Sequence, residues 1–134
     1  MNATRNTFLV LAVVAAFAAG AASAEYAAAN RKELKHADFA GNDAMEIFTA
    51  VQETLPGEEI PLHTHHGSEA GYVIQGAMIQ PPGKEPIELK TGGDFLFARD
   101  VPHAGFKVVG RTSLKLFTVH VVDKGKPLME IVTR

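Results

Sequence analysis

Beyond Gly41 the chain runs as short apolar segments separated by turn residues. Nine of these have the length and composition of strands, at 44–54, 60–65, 69–75, 77–80, 87–90, 94–98, 103–109, 112–122 and 128–132. The punctuation between them includes Leu55-Pro56-Gly57, His66-Gly67-Ser68, Pro81-Pro82-Gly83-Lys84 and Thr91-Gly92-Gly93, all rich in residues that pre-set or permit tight turns. Many short strands with almost no helical period between them predict an all-β sandwich or barrel. In a strand, side chains two apart share a face. Leu114, Leu116, Thr118, His120 and Val122 therefore face one way. Phe95 and Phe97 alternate with Leu96, so that one set packs the core, while Tyr72, Ile74 and Met78 read first as packing residues and second as a substrate wall.

The first 24 residues follow another pattern. Arg5 and the amino terminus supply positive charge, the stretch from Phe8 to Ala19 is uninterrupted and apolar, and Ala22-Ser23-Ala24 has the form of a cleavage site. That order is the layout of a secretory signal. The apolar run is shorter than the roughly 20 residues a bilayer span needs. Residues 1–24 are thus expected to be removed, 25–43 to form an N-terminal arm and 44–134 to form the barrel. The product would be periplasmic or secreted. The arm is polar and alanine-rich, with Leu34 and Phe39 as its large apolar residues after Tyr26. It is expected to be a short irregular, extended or helical segment that packs loosely, with His36 exposed in it.

A chain starting at Glu25 has 110 residues, the size of one domain. Folding would bury roughly two-thirds of its surface. There is no cysteine, so in an oxidising compartment stability must come from packing or a bound metal rather than from disulfides. The whole sequence carries a net charge of −2, and loss of Arg5 leaves 12 basic against 15 acidic residues, or −3. That balance argues against nucleic acid as a partner, and no basic run suggests a membrane surface.

Chemistry concentrates in the stretch GEEIPLHTHHGSEAGYVIQG, which begins at Gly57. His63 and His65 are two apart and share a strand face, displaced by about 6.6 Å. A turn at His66-Gly67-Ser68 is expected to reverse the chain and return Glu69 close to the pair. His103, after a turn and strand of its own, is the candidate fourth donor. Imidazole nitrogen and carboxylate oxygen suit first-row divalent metals, and four such ligands leave a coordination position open.

These residues carry a resemblance to the cupins, whose first motif is G-x5-H-x-H-x3-E-x6-G. It stands here as Gly57, His63, His65, Glu69 and Gly76 with every spacer at its expected length, in the turn and strand context it requires. The second motif, G-x5-P-x-G-x2-H-x3-N, can be counted from Gly92 to His103. Ala98 and Asp100 replace its proline and glycine, and Lys107 its asparagine. The resemblance covers roughly Glu46 to Val122. It implies a double-stranded β-helix, a jelly-roll-like barrel of two sheets. It also implies His63, His65, Glu69 and His103 as ligands of a divalent transition metal, be it Fe, Mn, Zn, Ni or Cu.

Other readings stay beside this one. A histidine in a strand is ordinarily packed or exposed, and the motif frame reverses that for His63 and His65. His66 is expected at the turn surface or beside the ligands. His120 reads first as a satisfied histidine near a strand end, and second as a pocket residue able to carry a proton. The expected function is an exported metal-binding cupin that binds a small organic ligand, with a lean towards dioxygenase-like chemistry. The alternatives are a non-catalytic periplasmic protein that binds a metal or metabolite, and an isomerase acting on a sugar or keto acid. By the same resemblance a homodimer paired through its sheets is expected.

Overall fold

The protein is described by a computed structural model covering residues 30–133. The signal-like segment and its cleavage site lie outside the described residues. Ten strands follow in order: β1 Arg31–Asp38, β2 Met45–Thr54, β3 Glu59–Thr64, β4 Gly67–Gln75, β5 Ala77–Gln80, β6 Ile87–Leu89, β7 Asp94–Phe97, β8 His103–Val109, β9 Leu114–Asp123 and β10 Glu130–Ile131. They form two five-stranded sheets, ordered β1-β2-β9-β4-β7 and β10-β3-β8-β5-β6. Every strand pairing is antiparallel. This is the double-stranded β-helix expected of the sequence.

The alternation of β9 sets the inside of the first sheet. Leu114, Leu116, Thr118, His120 and Val122 are buried, and the residues between them are not. Between the sheets, Leu114 and Leu116 pack with Ile60, Val73, Ala77, Ile79 and Val108. Burying a valine, leucine or isoleucine side chain contributes about 1.5–3 kcal/mol, so this cluster clamps one sheet on the other. Tyr72, Ile74 and Met78 lie outside it. They are 51%, 44% and 39% exposed, because β4 turns Glu69 and Val73 inward with Tyr72 and Ile74 outward, and β5 turns Ala77 and Ile79 inward with Met78 outward. Phe95 and Phe97 face in and Leu96 faces out, 73% exposed.

Two features depart from the pattern read along the chain. The first concerns the connection after His65. Strand β4 already begins at Gly67, and β3 and β4 belong to different sheets, so the chain steps across the barrel instead of making a hairpin. A side chain at Gly67 would overlap the backbone carbonyl of Val121. Glycine lets β4 enter hard against β9 there. The second concerns 31–38 of the N-terminal arm, which is a strand paired with β2 from Arg31↔Gln52 to Asp38↔Glu46, with a shift of register between Glu33 and Lys35.

Candidate metal centre

The two sheets bring their polar inward residues to one level. In the second sheet His63 on β3 pairs directly with His103 on β8. In the first, Glu69 on β4 pairs with His120 on β9 and with Phe97 on β7. His65 sits in the short passage between β3 and β4. Glu69 therefore meets the histidines from the opposite wall. One donor atom from each of His63, His65, Glu69 and His103 lies within 4.8 Å of the others, and all four residues are buried.

The rings are held by the backbone. Nδ1 of His63 donates to the Pro61 carbonyl at 2.7 Å, Nδ1 of His103 to the Val101 carbonyl at 2.8 Å, and Nδ1 of His65 to the Leu128 carbonyl. A carbonyl can only accept, so each Nδ1 carries a proton, and a ring that is neutral keeps its lone pair on Nε2. Yet Nε2 of His103 lies 3.0 Å and Nε2 of His65 3.2 Å from Oε2 of Glu69. Lone pairs so close repel unless positive charge lies between them. A second proton on the His65 or His103 ring would supply it for one contact at a time, as an ion pair with Glu69. A cation held by all the donors satisfies them together, and fixing Nδ1 on carbonyls is how metal-binding histidines are oriented. The donor set thus fits a divalent metal.

Electrostatics keep His63 and Glu69 in the required forms. Burial outweighs the Pro61 carbonyl's opposing effect and, with the neighbouring His103 and His65, pushes the His63 pKa down to about 4. Burial opposes ionisation of Glu69, but His103 and His65, with His120 nearby, hold its carboxyl well below the usual carboxylate range. Phe97 lies parallel to the His103 ring, with centres 4.1 Å apart, and so fixes its plane from the first sheet.

The substitutions in the second motif leave His103 within the cluster. Asp100 stands at the glycine position and adopts φ 60°, a left-handed conformation that aspartate tolerates better than most residues. Its backbone N–H donates to the His65 carbonyl at 3.0 Å, which ties the loop before His103 to the passage that carries His65. Ala104 and Gly105 also have positive φ. They shift the strand's alternation, so that His103 and then Ala104 and Phe106 all face the cavity. Lys107 points outward opposite Glu59 and takes no part in the site.

His66 is apart from the cluster and donates from Nε2 to Glu130 at 2.8 Å. His120, read first as a satisfied histidine at a strand end, is buried beside the cluster. Its Nε2 lies 3.1 Å from the Thr118 hydroxyl and 3.7 Å from Glu69 Oε1, and its ring stacks on Phe48 at 4.7 Å. Its Nδ1 is buried without a hydrogen-bond partner. Burial lowers its pKa to about 3, against the opposing pull of Glu69. The reason for the misreading is that β9 runs the full width of the barrel, so its last turnward residues are still interior.

All five residues line a cavity of about 180 Å³. The rest of its wall is mainly apolar, including Ile60, Val73, Ile79, Phe95, Phe106 and Leu116. The volume is several times the ~30 Å³ share of one liquid water, enough for a small organic molecule. Arg31 and Gln52 also border it. Sequence reasoning passed over Arg31, because only the pairing of β1 with β2 turns that residue inward.

A family model described as Cupin domain matches residues 50–120. Solved structures of similar fold include a conserved double-stranded β-helix protein from Klebsiella pneumoniae, 20% identical over 78% of this chain and 84% of its own, with a TM-score of 0.54. Another is the polyketide cyclase RemF from Streptomyces resistomycificus, 20% identical over 75% of this chain and 81% of its own, with a TM-score of 0.51. At that identity the likeness is one of fold. No curated protein sequence matches the chain.

Proposed function

The chain belongs to the cupin family, and from that premise we propose that it is an exported protein that binds a divalent metal through His63, His65, Glu69 and His103 and receives a small organic ligand beside it, with dioxygenase-like chemistry as the leading reaction. One observation carries the reading. Three imidazoles, each with Nδ1 spent on a backbone carbonyl, and one buried carboxylate bring a donor atom apiece within 4.8 Å of one another. Bound there, the ion would polarise a ligand oxygen, lower the pKa of a water or, if redox active, engage dioxygen.

The chain's own residues supply the setting for that chemistry. Glu69 offers negative charge from the wall opposite His63 and His103, and Phe97 holds the His103 ring in place. The apolar wall excludes bulk water and takes up the ligand's carbon skeleton. His120 presents a buried nitrogen beside Glu69 without itself joining the four donors. Export rests on the order of charge, apolar run and small residues in the first 24 positions.

The test is metal analysis of protein purified without chelator, followed by oxygen uptake with catechol- and flavonol-like compounds. About one ion per chain is expected, falling to background in the His63→Ala/His65→Ala double variant. Unchanged stoichiometry in that variant would sink the reading. The mainly apolar wall favours one further possibility, that the barrel captures a metabolite and does not transform it. Ligand-dependent stabilisation without turnover under any redox metal would mark that case.

A further inference from the structure

The cavity wall carries a positive group that the proposed centre leaves unused. Arg31, from the edge strand β1, borders the same cavity as His63, His65, Glu69 and His103. Its guanidinium carbon lies 4.9 Å from the centre of the Phe48 ring, the ring on which His120 stacks. Nη1 of Arg31 is buried and has no hydrogen-bond partner. Glu33 and Glu69 are close enough for their charges to act on the guanidinium, yet Nη1 bonds to neither.

A buried donor left unpaired loses its hydration with nothing in return, and the loss is greater when it is charged. Such a group is explained when a bound molecule supplies the missing acceptor. The guanidinium is a planar fork of N–H donors that matches a carboxylate with two parallel hydrogen bonds. The cavity wall as a whole is mainly apolar, suited to a hydrocarbon body rather than to a sugar's many hydroxyls. Asp94 also borders the cavity, but it is exposed, where solvent screens its charge.

We propose that Arg31 is the anchor for the carboxylate of a small organic acid whose apolar body fills the cavity beside the histidine cluster. This rests on the reading of the cavity as a ligand site and gives that site its substrate class. Arg31 lies outside residues 50–120 of the family match, so the anchor is a property of this chain's N-terminal strand rather than of the matched domain.

Calorimetric titration of the full chain tests it, first with Zn²⁺ and then with benzoate, hexanoate and their amides. At least one carboxylate is expected to bind wild type about tenfold more tightly than its amide. Arg31→Gln is expected to weaken that carboxylate about tenfold, leave zinc stoichiometry unchanged, and leave the melting temperature unchanged or raised, since an unpaired buried charge is removed. Arg31→Lys, which keeps the charge but not the fork, should fall between the two.

Carboxylate affinity in Arg31→Gln within about twofold of wild type overturns the proposal, as does the absence of binding by either acid at millimolar concentration. A lower melting temperature in Arg31→Gln with unchanged affinity assigns Arg31 a structural role and overturns it too. Failure of zinc to bind, with carboxylate binding still dependent on Arg31, would sink the metal reading alone. Zinc binding with carboxylate affinity independent of Arg31 would sink the anchor alone.

Discussion

Asp100 holds φ at 60° and Ala104 at 61°, and these two non-glycine residues bracket His103. A left-handed angle costs an ordinary side chain about 1–2 kcal/mol, and strain of this kind gathers where a backbone must aim a functional group. Asp100 is exposed, so its backbone angle dominates the effect of replacing it. Asp100→Ala should lower stability by about 1 kcal/mol. Asp100→Gly should be nearly neutral, because relief of the angle is offset by about 0.4–1 kcal/mol of extra freedom in the unfolded chain. Urea unfolding of the metal-free protein measures both, and equal destabilisation by the two variants would show that the angle is not what matters. The glycine position of the second motif thus looked degraded in the sequence only because side-chain identity was visible and φ was not.

At the scale of elements, β9 is central to the first sheet, pairing with β2 on one side and β4 on the other. Leu114 at its start is fully buried, and Leu114→Ala is expected to cost about 2–5 kcal/mol through lost transfer energy and a residual cavity. A loss below 1 kcal/mol in denaturant unfolding, where m is unchanged, would contradict the packing described. At the other end of β9, Asp123 accepts two hydrogen bonds from Arg99 at 2.7 and 2.8 Å. The loop before β8 is thereby tied to the first sheet. Hydrogen bonding to Arg99 leads the lowering of the Asp123 pKa below its ordinary 3.8, desolvation opposes it, and the charges of Arg99, His66 and Lys126 add to it. A depressed folded-state value means that the pair's stabilisation is complete above the unfolded pKa and disappears as pH falls through the folded one. The melting-temperature difference between wild type and Asp123→Asn should therefore be constant and small near neutrality and shrink below pH 3.8. A difference that instead grows on acidification would reverse the sign assigned here.

For the whole molecule, the outer face of the first sheet sets Tyr72, Ile74 and Leu96 together, on paired strands β4 and β7 and 51%, 44% and 73% exposed. Apolar residues gathered on one face mark an interaction surface more often than residues scattered singly, and this face is the natural seat for the proposed homodimer. Light scattering of the full chain should give twice the monomer mass, and Tyr72→Lys with Leu96→Lys should return it to one. A wild-type monomer at high micromolar concentration would remove that proposal. The sequence by itself determined the strand pattern from β2 onward and an all-β class, and its resemblance to the cupins supplied the double-stranded β-helix and the four donors that converge, because strand alternation and motif spacing are local and are written along the chain. Only the tertiary structure decided that Glu69 faces the histidines across two sheets, that His120 is interior, that Tyr72 and Ile74 are not, and that Arg31 enters the cavity. Those facts depend on which strands pair and in what register, and pairing joins residues such as Arg31 and Gln52, or Glu69 and His120, whose separation along the chain carries no local signal of their contact.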